Sequence, residues 1–292
     1  MKTNNFLRKG AAVLAAVSLG LAFSCEDAET PYEQEAAYIA EESVTDYYYE
    51  DADDMAGVAV AAEEGTAGSG KVSSSAGILA VTDDRFPCAN VTVDFSLEST
   101  LLHPIGDIVI DFGTGCEDPR GNVRSGKIRI HFEGRRFLPG SKITITFENY
   151  FINGIILKGT RTLTNIAEST ENNPKFQVEL EGSIEWPDGT VATREHCYIR
   201  EWNKAENEIV VTQCNMEFAA SGTNRRGIEY KMIIQKELVY KRGCPLAVSG
   251  IKKFIEVATG KEITVDYGDG ACDRIVTITV DGNSRSVNVG RR

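Results

Sequence analysis

From Ala76 onward the apolar residues recur at every second position. Lys142 to Asn149 sets Ile143, Ile145 and Phe147 against Thr144, Thr146 and Glu148. Phe176, Val178, Leu180, Ile184 and Trp186 share one side of their stretch, and Gln177, Glu179, Glu181, Ser183 and Glu185 share the other. A period of two places successive side chains on opposite faces of an extended chain, so these runs read as antiparallel strands with one wet face. Turn residues punctuate them at Pro139-Gly140, Asn153-Gly154, Pro187-Asp188-Gly189, Asn203 to Glu208 and Asp281-Gly282-Asn283. The pattern predicts about twelve strands and no helix beyond a turn near Ile251. The fold class is therefore all-β: an antiparallel meander or sandwich-like body over residues 76–292, long enough for a two-layer core, with helix confined to a short acidic N-terminal tether.

Within that body one unit occurs twice. Ile108 to Gly134 runs strand, Asp-Phe-Gly-Thr-Gly, Cys116, strand; Ile263 to Asp281 runs strand, Asp-Tyr-Gly-Asp-Gly, Cys272, strand. The units span about 88–134 and 244–281, and each begins with a cysteine 28 positions before its second one. Six cysteines follow Cys25, an even number that suits disulfides in an exported chain, and none stands in the close-set pairs of a zinc site. The repeat pairs Cys88 with Cys116 and Cys244 with Cys272. A hairpin turn centred between Ala205 and Glu206 sets Cys197 opposite Cys214, each expected on a face with apolar neighbours such as Val191, Ile199, Val210, Met216 and Phe218.

Residues 1–24 have the form of an export signal: Lys2, Arg8 and Lys9, then an apolar run from Ala11 to Phe23 too short to span a bilayer. Leu21-Ala-Phe-Ser-Cys25 resembles a bacterial lipobox, with Phe23 where a small residue is usual and the leucine one place early. The resemblance implies lipidation of Cys25. The net charge of −12 is unevenly placed. Glu26 to Gly65 holds 14 acids and no Lys or Arg, while residues 66–292 carry 28 basic against 29 acidic side chains. Residues 25–75 thus read as an acidic, partly helical tether: one stretch after a Thr30-Pro31-Tyr32-Glu33 capping box, another over Asp46 to Glu64 with Tyr49, Ala52, Ala56 and Val60 on one side, then a Gly/Ser linker. A near-neutral body gives no basic surface for nucleic acid.

The body also resembles a family of uncharacterised Bacteroidota lipoproteins. The likeness rests on Gly106-Asp-Ile-Val-Ile-Asp-Phe-Gly-Thr-Gly-Cys116, Arg124-Ser-Gly-Lys-Ile128, Phe147-Glu-Asn-Tyr150 and Gly159-Thr-Arg-Thr162, and further on Trp186-Pro-Asp-Gly-Thr190, Ala220-Ser-Gly-Thr-Asn224, Tyr240-Lys-Arg-Gly-Cys244 and Val265-Asp-Tyr-Gly-Asp-Gly270. It covers about 86–290 and implies location and class but no activity. Glu26-Asp27-Ala28-Glu29 behind Cys25 looks like the signal that sends some such lipoproteins to the cell surface.

Candidate chemistry is thin. Asp111-Phe112-Gly113 matches the letters of a kinase metal loop without the rest of a kinase. Asp266, Asp269 and Asp273 could offer oxygens to calcium, but the spacing lacks a full calcium loop, and Asp-capped turns explain them as well. His103, His131 and His196 stand in no metal spacing, and no Gly-x-Ser-x-Gly marks a nucleophile. Glu179, Glu181 and Glu185 share a wet strand face, where paired carboxylates could cleave a glycoside or simply be solvated. Trp186 continues an apolar face and reads as core.

No cofactor or metal set follows. The leading expectation is a non-catalytic, lipid-anchored β-domain of the outer membrane, facing the cell surface or the periplasm, that binds an envelope protein or glycan or serves a structural role. A glycan hydrolase and a carrier of an apolar ligand are the alternatives. The anchoring expectation is tested directly: the chain should label with radioactive palmitate and enter the detergent phase, and Cys25→Ala should abolish both, since firm anchoring takes more than one acyl chain.

Overall fold

The computed structural model describes residues 31–67, 77–166, 169–170, 172–241, 243–244 and 246–289. The leader, Cys25 and most of the Gly/Ser segment lie outside them. Among the described residues one helix, α1 (Pro31–Ala67), precedes sixteen strands. The first eight are β1 (Gly77–Ile78), β2 (Asn90–Phe95), β3 (Ile105–Asp111), β4 (Cys116–Glu117), β5 (Val123–Glu133), β6 (Lys142–Ile152), β7 (Ile155–Asn165) and β8 (Lys175–Glu185). The rest are β9 (Val191–Asn203), β10 (Glu208–Gln213), β11 (Ala220–Thr223), β12 (Glu229–Lys241), β13 (Ser249–Glu256), β14 (Glu262–Asp269), β15 (Ile275–Val280) and β16 (Asn283–Asn288). All pairings are antiparallel and nearly all join consecutive strands into one meander from β1 to β16, with β10 and β11 sharing the gap between β9 and β12. The all-β class thus holds, and the expected turn near Ile251 is instead part of β13.

Local chemistry sets the hairpins. Asn153 and Gly154 both adopt positive φ (54° and 79°), as do Asp281 and Gly282 (51° and 79°). These are the two-residue turns that match the twist of flanking strands, and they fix Ile152 opposite Ile155 and Val280 opposite Asn283. With register fixed, Phe176, Val178, Leu180, Ile184 and Trp186 of β8 are all buried, as the alternation requires.

What buries them differs from the sequence reading. The acidic segment is one continuous helix lying on the sheet, where the sequence suggested two helical stretches and left open whether they dock on the body. The interval between the expected stretches contains Ser43, Val44 and Thr45, poor helix formers but no breaker. The Ser43 and Thr45 hydroxyls donate back to the carbonyls of Ile39 and Glu41, which keeps them inside the helix. At 1.5 Å per residue α1 is about 55 Å long. Its start meets β15 and β16, and its end meets β5 and β6, so it lies across the strands. Tyr49, Ala52, Met55, Ala56, Ala59 and Val60 are fully buried against β2 to β9, and Tyr38 and Ile39 against β9 to β15.

A glycine row lets the helix come close. Gly159 faces Gly182, which faces Arg194, which faces Gly222 across β7, β8, β9 and β11. A Cβ on Gly182 would lie 2.5 Å from the Tyr49 hydroxyl. Through the gap that hydroxyl donates to the carbonyls of Lys158 (2.8 Å) and Ser183 (3.0 Å).

Three disulfides join Cys88–Cys116, Cys197–Cys214 and Cys244–Cys272, with Cα separations of 5.7, 5.5 and 5.3 Å. These are the pairs that the spacing suggested. The first and third each tie the chain entering a hairpin (β2–β3, β13–β14) to the chain leaving it. The second follows the β9–β10 register, in which Asn203 faces Glu208 and Tyr198 faces Gln213. Its surroundings differ from expectation. Cys197 lies on the outer face of β9 with Thr193 and Glu195, shielded by residues 214–219, while Met216 is 59% exposed. The inner face of β9 carries Ala192, Arg194, His196 and Tyr198 instead.

Gly159 tests this architecture. It holds φ of 119° with Glu181 backbone crowding its missing Cβ. Gly159→Ala should lower stability in urea by roughly 2 kcal/mol or more, through backbone strain and collision together.

Candidate functional site

Two chemically opposite surfaces result from the fold. The inner face, under α1, gathers a set of cations that meet the acids of the helix. Arg194 pairs with Glu42 and Asp46, and Lys252 Nζ lies 2.9 Å from Asp46. Arg161 and Arg200 converge on Asp53, at 2.7 and 3.2 Å, with Glu50 2.7 Å from Arg200. Arg124 bridges Asp51 (2.8 Å) and Asp118 (2.6 Å), and Arg85 joins Asp51 at 3.3 Å. Lys261 takes Glu35 at 2.6 Å and Arg225 takes Glu41 at 3.3 Å. Arg136 lays its guanidinium over Gly57 while its backbone N–H donates to Glu64 (2.9 Å).

Burial dominates the electrostatics here. It lifts the Tyr49 and Tyr240 hydroxyls far above the usual tyrosine range and pushes Tyr198 up to about 12. Burial and the nearby Arg161 and Arg194 hold His196 well below the ordinary histidine range. Arg161 has only donors, so its Nη1, 3.2 Å from His196 Nε2, donates to that nitrogen and the neutral ring carries its proton on Nδ1. Asp118 shows the opposite balance: burial would raise it, but hydrogen bonds from Arg124, Asn122 and Arg120 hold it at about 2.

The outer face carries a groove of about 660 Å³ over β7, β8, β9 and β11. Its floor follows the pairing: Thr160, Glu181, Glu195 and Ser221 form one cross-strand row, and Thr162, Glu179 and Cys197 the next. Met216, Glu217 and Phe218 form a wall, pinned by the Cys197–Cys214 bond, and Lys231 sits 4.4 Å from the Phe218 ring centre. Among the described residues no cation pairs with Glu179, Glu181, Glu195 or Glu217, whereas Glu185 just outside is taken by Lys158 at 2.8 Å. Glu181 and Glu195 stand directly opposite each other, an arrangement that disfavours folding.

The other residues singled out from sequence fall elsewhere. Asp111 and Asp266 accept from the amides of Gly113 and Gly268, each at 2.9 Å, and Asp273 from Ile275 at 2.9 Å, so both repeat loops are Asp-capped turns. Among the described residues no group of His, Cys, Asp and Glu converges as a metal site. His131 is half-exposed beside Asp107 at 3.0 Å, His103 is exposed, and the structure brings neither to the groove or to His196. Trp186 is buried, with Arg225 stacked 4.8 Å over its ring. The face where a carrier would hold its apolar ligand is occupied by α1. Among the described residues no helix is long and apolar enough to cross a membrane. Sequence reasoning found Glu179 and Glu181 but missed Glu195, Glu217 and the cations of the inner face. A signal for the latter existed: Arg161, Arg194 and Lys252 occupy the inward phase of their strands. Comparison with known proteins returns no match, whether to a family model, a curated protein or a solved structure.

Asp53 is the most exacting carboxylate, because its loss strands the buried Arg161 and leaves Arg200 to Glu50 alone. Asp53→Asn should cost about 3–5 kcal/mol in chemical denaturation, whereas Glu179→Gln on the outer face should stay within about 0.5 kcal/mol of the parent.

Proposed function

We propose that this protein is a lipid-anchored envelope β-domain, displayed at the outer membrane, whose outer groove binds a hydroxyl-rich ligand bearing positive charge, such as an amino-sugar glycan, without transforming it. The observation that carries the reading is the set of four unneutralised carboxylates in the groove, in a molecule that pairs most of the acids on its helix. Carboxylates and threonine hydroxyls accept from sugar hydroxyls and ammonium groups, and the Phe218 ring offers an apolar face beside them. Export and anchoring rest on the leader and on Cys25. The resemblance to Bacteroidota lipoproteins and the acidic run behind Cys25 favour the cell surface, and the three disulfides suit an oxidising compartment.

A glycan hydrolase is the second reading. It is favoured by Glu181 facing Glu195, because side chains directly opposite across two strands start about 5 Å apart, near the carboxyl separation of a retaining pair. One titration separates the readings. Chitosan oligomers should bind the full chain in calorimetry, and Glu181→Gln with Glu195→Gln should weaken binding roughly tenfold or more by removing charge-assisted hydrogen bonds. Neutral cello-oligomers should bind less well. Chain shortening of the oligomer over time would favour the hydrolase, and binding indifferent to both substitutions would remove the groove from the account.

A further inference from the structure

Of the eleven large apolar side chains that stand exposed among the described residues, five crowd onto two hairpin tips. Leu97, Leu101 and Leu102 lie on the β2–β3 tip, at 103, 61 and 88% exposure, and Phe137 and Leu138 lie on the β5–β6 tip. The tips adjoin because β3 pairs with β5. The Gly134 amide donates to the Pro104 carbonyl at 2.7 Å, and Arg135 Nη2 donates to the Leu101 carbonyl at 2.7 Å. Exposed leucines scattered singly are ordinary, but a cluster on one edge marks a contact surface.

The β2–β3 tip is closed on itself. The amides of Ser96, Ser99 and Thr100 donate to the carbonyls of Ile105, Ser96 and His103. Those of Glu98, His103 and Ile105 donate to the hydroxyls of Ser96, Thr100 and Ser99. Six amides thus keep their partners when water leaves, and the leucines project from an ordered loop that apolar surroundings tolerate. Cations flank the apolar side chains. Arg136 Cζ and Lys204 Nζ lie 5.1 and 5.4 Å from the Phe137 ring centre, and Arg135 stands beside Leu101. Glu98 is the only acid within residues 96–104 and 134–141. Apolar tips ringed by cations match the layering of a phospholipid leaflet, with acyl carbons below and phosphates above.

We propose that these two tips are a second membrane contact, in which Leu97, Leu101, Leu102, Phe137 and Leu138 enter the headgroup and upper acyl region of a phospholipid leaflet. The proposal rests on the lipid-anchored reading given above. Only residues 26–30 separate Cys25 from α1, so an acylated Cys25 holds the start of the helix within about 20 Å of the bilayer. The other end of α1 is tied to the tips, since the Arg136 amide donates to Glu64 at 2.9 Å. Anchor and tips therefore hold opposite ends of one helix, about 50 Å apart, and together they lay α1 along the membrane. A tethered contact forms at high effective concentration, so five side chains that bind weakly alone suffice to fix orientation.

The test uses the lipidated chain in phosphatidylcholine vesicles, with the emission of Trp186 and Trp202 subtracted by means of the parent protein. Leu102→Trp and, separately, Leu97→Trp should each add a blue-shifted signal. That signal should be roughly twofold or more weaker in dibrominated than in plain phosphatidylcholine, because an indole at the interface lies within reach of the bromines. Val191→Trp, on the β8–β9 turn at the other ends of the strands, should show no such difference. Palmitate-labelled protein in which both tip variants are quenched no more than Val191→Trp overturns the contact and leaves the anchor standing. A chain that takes up no palmitate overturns the anchor and the contact with it. Concentration-dependent pairing of the Cys25→Ala chain, lost in Leu97→Ser with Leu102→Ser, would give the patch to a second copy and overturn the membrane assignment.

Discussion

The pairing of an all-acidic helix with cations on one face of a sheet is the interaction on which the rest of this structure depends. A fourteen-strand path needs its apolar face covered, and here the cover is a helix with eleven acids and no base. Such a helix gains little from its own side chains, and burying its carboxylates against hydrocarbon would be prohibitive. Arg124, Arg161, Arg194, Arg200 and Lys252 resolve the conflict by standing where inward apolar residues would otherwise be. The pairs themselves add little net stability, since desolvation offsets most of their attraction. What they secure is partners for the carboxylates that the helix buries.

Charge alone does not fix where the helix sits. Glu42, Asp46, Glu50 and Asp54 repeat every turn, so a slip of one turn would keep several pairs. Tyr49 removes that freedom. Its hydroxyl reaches the Lys158 and Ser183 carbonyls through the space left by Gly182, and a one-turn slip would bring Thr45 or Asp53 to the same place. Neither has a ring to fill the gap, and Asp53 would lose Arg161 and Arg200. Register is thus set by one aromatic and one missing side chain, within the pairing that the charges allow.

Elsewhere on the outer face acids are paired, as Lys127 with Asp111 and Lys158 with Glu185. Glu179, Glu181, Glu195 and Glu217 are a local exception, brought together by strand pairing and by a disulfide that holds residues 214–219 against β9. Charge balance over the body hides this, because a near-neutral sum carries no information on where acids gather.

Period-two alternation, Asn-Gly and Asp-Gly turns and cysteine spacing are local signals, and each carries its structural consequence within a few residues. The all-β class, the Ile152–Ile155 and Val280–Asn283 hairpins and the hairpin register that brings Cys197 to Cys214 could therefore be read from the chain alone. The two repeat disulfides followed from a spacing that recurs. The docking of α1 could not, because its weak apolar stripe gives no hint of a partner and its cations come from strands up to about two hundred residues away, as in the Asp46–Lys252 pair at a separation of 206. The groove likewise exists only once β7, β8, β9 and β11 are side by side: Glu181 and Glu195 are fourteen positions apart in the chain, and only strand pairing sets one against the other. Long-range pairing of charges has no sequence period, so only the assembled sheet could decide it.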